Sequence, residues 1–599
     1  MIYHCEDHTC NYWDEGEKLP ERCPQCGRKL LRANEADMTG DDWTALGNTL
    51  WYAEASDKKR MVDCFRKAAY LGSAWGVCNL GICMEQGNGV EADPVQAFWL
   101  YQQAVEMGSL NAVCCLGVCY QYGIGTAPDA KQAAELYCKA AEYGSPRGQM
   151  LLARAFHDGI GVEADAAEAV HWVRAAAYQR YGEGMHRLGV CYEYGDGVEQ
   201  NWEHAVHWFR EAAESGVSVA MADLGYCYEK GCGVEQSWAQ AFSWYRRGAE
   251  CGYPVSMSNL GLCYKRGYGV EQNWQEAIKW YEQGAQCGDL QSMHNLARCY
   301  ERGEGVEQNE ERALYWYRRS AEGGNGGAMY NLGRCYKMGH GVEQNWQEAV
   351  KWYEQGAQCG NLQSMHNLAC CYEHGEGVEQ NMTEAIRWYT AAAEGGNADA
   401  MHNLGWHYDH GEGVEQDMKK AICWYERAAE QNHPAAMNSL GECYAMGRGV
   451  PRDLETAMEW YRRAAELGEA MADYNMGWHL EQAGKLSEAY AHYRKAADGN
   501  DDSAWWALGR FYENGVVVAQ DGKEARRCYE TGEKLGSVKC KMRLARCKLL
   551  GIGGRRAKKA GLDLCRQALE LAKESSEKED YGYEAEMNLL RRTIAENES

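Results

Sequence analysis

The stretch GVEQNWQEAIKWYEQGAQCGDLQSMHNLARCYERGEGVEQN, from Gly269 to Asn309, returns from Gly341 to Asn381 with four changes. The copies lie 72 residues apart, twice a finer period: a Leu recurs at 80, 116, 152, 188, 224, 260, 296, 332, 368, 404 and 440, every 36 residues. Less regular copies start at Leu46, Met476, Leu508 and Leu544. A period of about 20 to 50 residues is the signature of a solenoid, in which stacked units bury faces that no single unit can bury alone. The expected fold is therefore all-α. It is a right-handed α-solenoid of about fifteen helix-turn-helix repeats over residues 42–570, with a small metal-bound ribbon at 1–38 and a capping helix at 571–599.

One unit shows how the pattern works. Met257, Leu260, Gly261 and Tyr264 fall at i, i+3, i+4 and i+7, one stripe of an amphipathic helix, here helix A. Glycines in Arg266-Gly267-Tyr268-Gly269 end it, and Val270 plugs the turn. Asn273 is placed as N-cap of helix B, with Glu276 completing a capping box; Asn345 with Glu348, Asn381 with Glu384 and Ser237 with Gln240 repeat the pattern. Ala277, Trp280, Tyr281 and Ala285 are the expected buried stripe of helix B.

The combination of an LG-x-C-Y helix A, a G-x-G-V turn and A-x-x-W-Y on helix B, as in Ala385-Ile386-Arg387-Trp388-Tyr389, resembles the Sel-one-like repeat (SLR) family, relatives of the tetratricopeptide repeats. The resemblance implies an adaptor that binds partner proteins or peptides in a concave groove lined by helix A. Some secreted, cysteine-rich members of that family are hydrolase-like. Their disulfide spacing differs from the pairs Cys251/Cys263, Cys287/Cys299 and Cys359/Cys371, so this alternative is set aside.

Of the 28 cysteines, ten hold one repeat position, three residues after a Leu: Cys83, Cys119, Cys191, Cys227, Cys263, Cys299, Cys335, Cys371, Cys443 and Cys547. On a helix face that position predicts reduced, buried thiols. No signal peptide and no run of about 18 apolar residues is found, so a cytoplasmic protein without a membrane span is expected. The formal charge is -25, although Lys523 to Glu570 holds 14 Lys or Arg against 5 Asp or Glu. Such a field repels nucleic acid along most of the chain. The basic end leaves room for head-to-tail self-association, or for a nucleic-acid adaptor built from that end and the ribbon. No nucleophile with its base, and no pair of carboxylates, stands at a unique place in the repeats, so no enzyme is expected.

The non-core face of helix A is the expected partner groove. Its candidate residues are His294, Asn295, Arg298, Arg302, Tyr330, Asn331, Arg334, His366, Asn367, His402, Asn403 and Trp406. Asn259, Asn295, Asn331, Asn367 and Asn403 form a ladder that either grips a peptide backbone or bonds across to the next repeat. His366, His374, His402 and His410 are read as groove residues, not metal ligands, and the Glu row 271, 307, 343, 379 and 415 as a solvated edge. Near the N-terminus Cys5, Cys10, Cys23 and Cys26 form two pairs, the second a C-P-Q-C-G knuckle that resembles zinc-ribbon and rubredoxin-like sites. Four thiolates suit a structural zinc, with iron the second choice and His8 an alternative to Cys10. A net charge of -2 over the first 35 residues gives this segment no footprint for DNA.

Overall fold

The computed structural model describes residues 2–5, 13–15, 30–33, 35–51, 55–578 and 583–598. Three short strands, β1 (Ile2–Cys5), β2 (Trp13–Glu15) and β3 (Leu30–Ala33), pair antiparallel in the order β2-β1-β3, with Tyr3 opposite both Asp14 and Arg32. From Gly40 onward the described residues form thirty-one α-helices, fifteen successive A/B pairs followed by the terminal helix Glu584–Glu598. The chain packs as two compact units, Met1–Gln308 and Asn309–Ser599.

Within the first unit, helix A Pro254–Arg266 and helix B Trp274–Gln286 illustrate the pairing. Met257, Leu260 and Cys263 are buried on A, and Ala277, Ile278, Tyr281 and Ala285 on B. Tyr264 and Trp280, both expected in the core, are only half-buried. Of the Trp280-Tyr281 pair it is the tyrosine that points inward. Its ring packs against Gly261, where a Cβ would stand 2.5 Å from Tyr281 Cε1. All ten cysteines at the repeated position are buried and free, and burial pushes thiols such as Cys263 and Cys443 up to about 12.

Each turn is built by three residues with different tasks. Gly267 ends helix A in the left-handed conformation, with φ 74°. Gly269, at φ 68°, lies against the preceding repeat, where an added Cβ would meet the Trp238 carbonyl oxygen at 2.2 Å. Gln272 then turns back, its Nε2 donating to the Lys265 carbonyl at 2.8 Å; Gln200, Gln236, Gln344, Gln380, Gln416 and Gln520 do the same in their repeats. This satisfies a carbonyl that a helix C-terminus otherwise leaves open.

The expected capping boxes are half made. Asn273 accepts from the Glu276 N–H, but its own backbone N–H donates to the Tyr264 carbonyl at 2.9 Å. With the N-cap N–H already taken by helix A, Glu276 turns instead to Lys279. The same backbone bond occupies Ser237, Asn345 and Asn381. Among the described residues the full reciprocal box is at Thr39 and Asp42.

In the second unit the shortened repeat at Ala470–Gln482 and Leu486–Asp498 joins its helices without the G-x-G-V turn. Helix Lys558–Lys578 runs through the boundary expected at 570/571. The terminal helix packs on Val538–Leu550 and Lys558–Lys578. Ala585 is exposed, and Leu589 and Ile594 half-buried; the face it buries is Tyr583, Met587, Leu590 and Thr593. The face is set by Glu586, whose carboxylate is drawn in by Arg543 at 2.6 and 2.7 Å.

Candidate partner-binding face

In several repeats of each unit consecutive helices A pack directly on one another, as Pro254–Arg266 does on Leu290–Arg302 and Gly326–Met338 on Leu362–His374, whereas consecutive helices B do not pack comparably. Helices A therefore form the tighter, inner row. Their exposed stripe runs across several repeats and is the candidate partner-binding face.

Polar rungs cross this face at a spacing of 37 residues. His186 Nε2 lies 2.7 Å from Asp223, the Asn403 amide donates to His366 Nε2 at 3.2 Å, Ser439 and His402 are 3.4 Å apart, and the Asn475 amide donates to Asn438 at 3.0 Å. In each the residue just before one repeat's Leu (Met476 in the shortened copy) reaches the residue two before the previous repeat's. Asn403 thus bonds between repeats. Asn295 accepts from Gln291, Asn367 donates to the Gln363 carbonyl, and Asn331 is buried and accepts from Arg334. Of the other expected groove residues, Tyr330 packs on Tyr353, Trp406 stacks on His410 and His294 is half-buried. His374 and His410 each bond a carbonyl of their own helix. Among the described residues no three His, Cys, Asp or Glu side chains gather as a metal requires. Cys10, Cys23 and Cys26 lie outside the described residues, and Cys5 is described only as the end of β1.

Burial and the neighbouring His433 push His402 down to about 4 from an ordinary 6.5. His433 stacks on it at 5.2 Å and is itself 3.1 Å from Asp399. The unfolded chain takes up this proton near 6.5 and the folded chain only near 4, so between those values the unfolded state binds more protons. Stability falls as pH drops through that window, by on the order of 2 kcal/mol for His402 after allowing for its partial exposure. Urea unfolding at pH 7 and pH 4.5 should show a smaller difference for His402→Gln than for the native chain.

Where the rungs recede, charge gathers. In several repeats the inward tyrosine of helix B donates to an acid five residues past the Leu of helix A: Tyr101 to Glu85 at 2.6 Å, Tyr245 to Glu229 at 2.9 Å, Tyr389 to Glu373 at 2.5 Å. Lys265 and Lys337 hold that place in two repeats, and there the buried Tyr281 and Tyr353 hydroxyls have no hydrogen-bond partner among the described residues. Lys265, Arg266, Arg298 and Arg302 line one pocket of about 260 Å³. Glu304 bridges Lys265 at 2.8 Å and Arg302 at 3.7 Å. Burial pushes the Glu304 carboxyl up, but the Lys265 bond and the surrounding cations prevail and hold it below its ordinary range. One carboxylate against four cations leaves the pocket strongly positive. Arg298 and Arg302 were legible as groove residues. Lys265 was not singled out, although its place among Glu85, Glu229 and Glu373 was the available signal.

The Sel1 repeat model matches thirteen segments of the chain, from 76–109 to 504–537. A crystal structure of a protective antigen from uropathogenic Escherichia coli, described as displaying an SLR fold, is 33% identical, with a TM-score of 0.52 over 75% of this chain and 97% of its own. A Sel1 repeat protein from Oxalobacter formigenes is 31% identical, with a TM-score of 0.37 over 41% of this chain and 96% of its own. Comparison with curated proteins gives no match. The matched segments cover more than half of the chain and coincide with its helix pairs, and the chain therefore belongs to the Sel1 repeat family.

Proposed function

We propose that the protein is an interaction scaffold that holds an acidic, extended segment of a partner protein along the inner face of helices A. Solenoids of this kind generally serve as protein-interaction scaffolds, and the observation that carries the finer reading is the pocket of Lys265, Arg266, Arg298 and Arg302 in a chain of net charge -25. Lys265 is held there by Glu304, and Arg266 and Arg302 stay exposed, where a carboxylate can reach them. The test is affinity capture of the full chain from the cells that make it, with nuclease-treated and untreated samples, beside Arg298→Glu with Arg302→Glu. A discrete protein retained by the native chain and lost by the double variant is expected. Retention of the same protein by both overturns the reading, and capture abolished by nuclease favours nucleic acid instead.

The basic end supports that alternative less well. Arg543 and Arg546 are spent on Glu513 and Glu586, and the exposed Arg527 and Arg566 pair with Glu524 and Asp563 of their own helices; Lys523, Lys534, Arg555, Arg556, Lys558 and Lys559 are exposed as well. Among the described residues no helix is long and apolar enough to cross a membrane.

At the other end the four cysteines Cys5, Cys10, Cys23 and Cys26 are proposed to hold one structural zinc, on the strength of their paired spacing. Metal analysis of the purified chain should give one zinc per chain, falling to zero in Cys23→Ser with Cys26→Ser. Iron in place of zinc, or no bound metal, would contradict this.

A further inference from the structure

We propose that the cavity in the repeat of residues 146–181 is an anchor pocket for a tyrosine side chain presented by the partner protein. This rests on the scaffold reading and adds to it a place and a chemistry. The argument is an internal one. Helix B of its neighbours and of most repeats turns an aromatic ring inward, Tyr137 in the repeat before and Phe209 in the repeat after. In helix Ala166–Tyr178 that place is held by Val173. The missing ring is not made up from helix A. Ala153 adds one methyl where other repeats have glycine, and Ala369 with Tyr389 shows that an alanine there coexists with a fully buried tyrosine.

What remains is a cavity of about 520 Å³, within the range of pockets that enclose small ligands. Its floor is apolar, with Val170 and Val173 buried beneath it. The inner-face rung is also altered here: Met150 and Leu151 stand where the repeats with rungs place His, Asn, Asp or Ser. At the mouth His157 takes the position from which Glu85 and Glu229 receive a tyrosine hydroxyl, and its ring is held between Asp158 at 2.7 Å and Asp196 at 3.2 Å. Arg147, Arg154 and Arg187 are balanced by Asp158, Glu183 and Asp196. A balanced mouth suits a neutral head that both donates and accepts, which is what a phenol offers. An anion would meet Asp158 and Asp196, a cation Arg154 and Arg187, and an aliphatic side chain would leave the mouth unused. An aromatic side chain with a polar tip, sunk in a packed pocket, is also the type of group that dominates protein interfaces.

The test uses the full chain and 4-fluorophenol as probe, followed by fluorine NMR. Saturable line broadening that 4-methylphenol reverses is expected for the native chain. Val173→Tyr, which restores the ring of the other repeats, should weaken it at least tenfold, while Val173→Ala should keep it within about threefold. No saturable broadening with the native chain, or equal broadening with Val173→Tyr, overturns the proposal. Should Val173→Tyr fail to fold by circular dichroism, Leu151→Trp at the mouth is read in the same way. Loss of the phenol signal with charge-dependent capture intact removes the pocket and leaves the scaffold. The reverse pattern removes the scaffold reading and leaves a phenol site.

Discussion

Arg543→Met should destabilise the last repeats by about 3–5 kcal/mol, because it leaves the buried Glu586 carboxylate without its counter-charge. The Arg543 guanidinium grips Glu586 of the terminal helix with two bonds, at 2.6 and 2.7 Å, and reaches Glu513 at 3.4 Å. Side-chain exposure is 13% for Arg543, 7% for Glu586 and 9% for Glu513, so water does little to screen the loss. Glu513 keeps Arg546 and the Tyr529 hydroxyl, whereas Glu586 loses its principal partner. Repeat proteins open locally, so the effect belongs to one end. Hydrogen exchange should rise first in Glu584–Glu598 and Val538–Leu550, with Pro254–Arg266 unchanged. Adding Glu586→Met to Arg543→Met should recover most of the loss. A change below about 1 kcal/mol would mean that the terminal helix is held by its apolar face alone.

Gly269→Ala should cost about 2–4 kcal/mol through two separate terms. A side chain at φ 68° pays about 1 kcal/mol for the left-handed conformation. The larger part is contact: the new Cβ would stand 2.2 Å from the Trp238 carbonyl oxygen, so the turn must lift off the preceding repeat. Gly288 provides the comparison, with φ 87° and no atom within 4 Å of an added Cβ. Gly288→Ala should therefore pay the conformational term only, about 1 kcal/mol. Urea unfolding of both variants separates the terms. Equal losses would show that the second glycine of the turn is needed for its backbone angle and not for stacking.

Much of this was legible in the sequence because a repeat reports its own geometry many times over. The period placed fifteen helix pairs, and the Leu and Cys positions named the buried stripe of helix A. The N-cap residues were identified in the same way. What escaped was what one helix does to the next. Trp280 and Tyr281 are adjacent, and helical periodicity does not decide which of them turns inward; in the fold it is the Tyr281 ring that meets Gly261 of helix A. A capping box written in side chains did not reveal that the N-cap N–H of Asn273 is already taken by Tyr264. The second glycine of each turn and its glutamine were visible as letters, but their partners lie on the preceding repeat and on the end of helix A. For the inner face, the row of asparagines was seen and left open between two readings. Asn403 settles on the inter-repeat one, while Asn295 and Asn367 bond within their own helices. The cavity beside Val173 does not show in what recurs. Its signal is a repeat that departs at three places together, with Val173 in the aromatic place, His157 in the acceptor place and Met150 on the inner face.

The scaffold account comes down to which row of helices a partner touches. A photo-reactive phenylalanine analogue placed at Asn295 or Arg298 on the inner face, and at Gln275 or Lys279 on the exposed face of helix B, answers this in the cells that make the protein. The account predicts that the two inner positions cross-link to a discrete partner and the two outer positions do not. Cross-linking from Gln275 and Lys279, with none from Asn295 and Arg298, would contradict it and move the binding surface to the outer row.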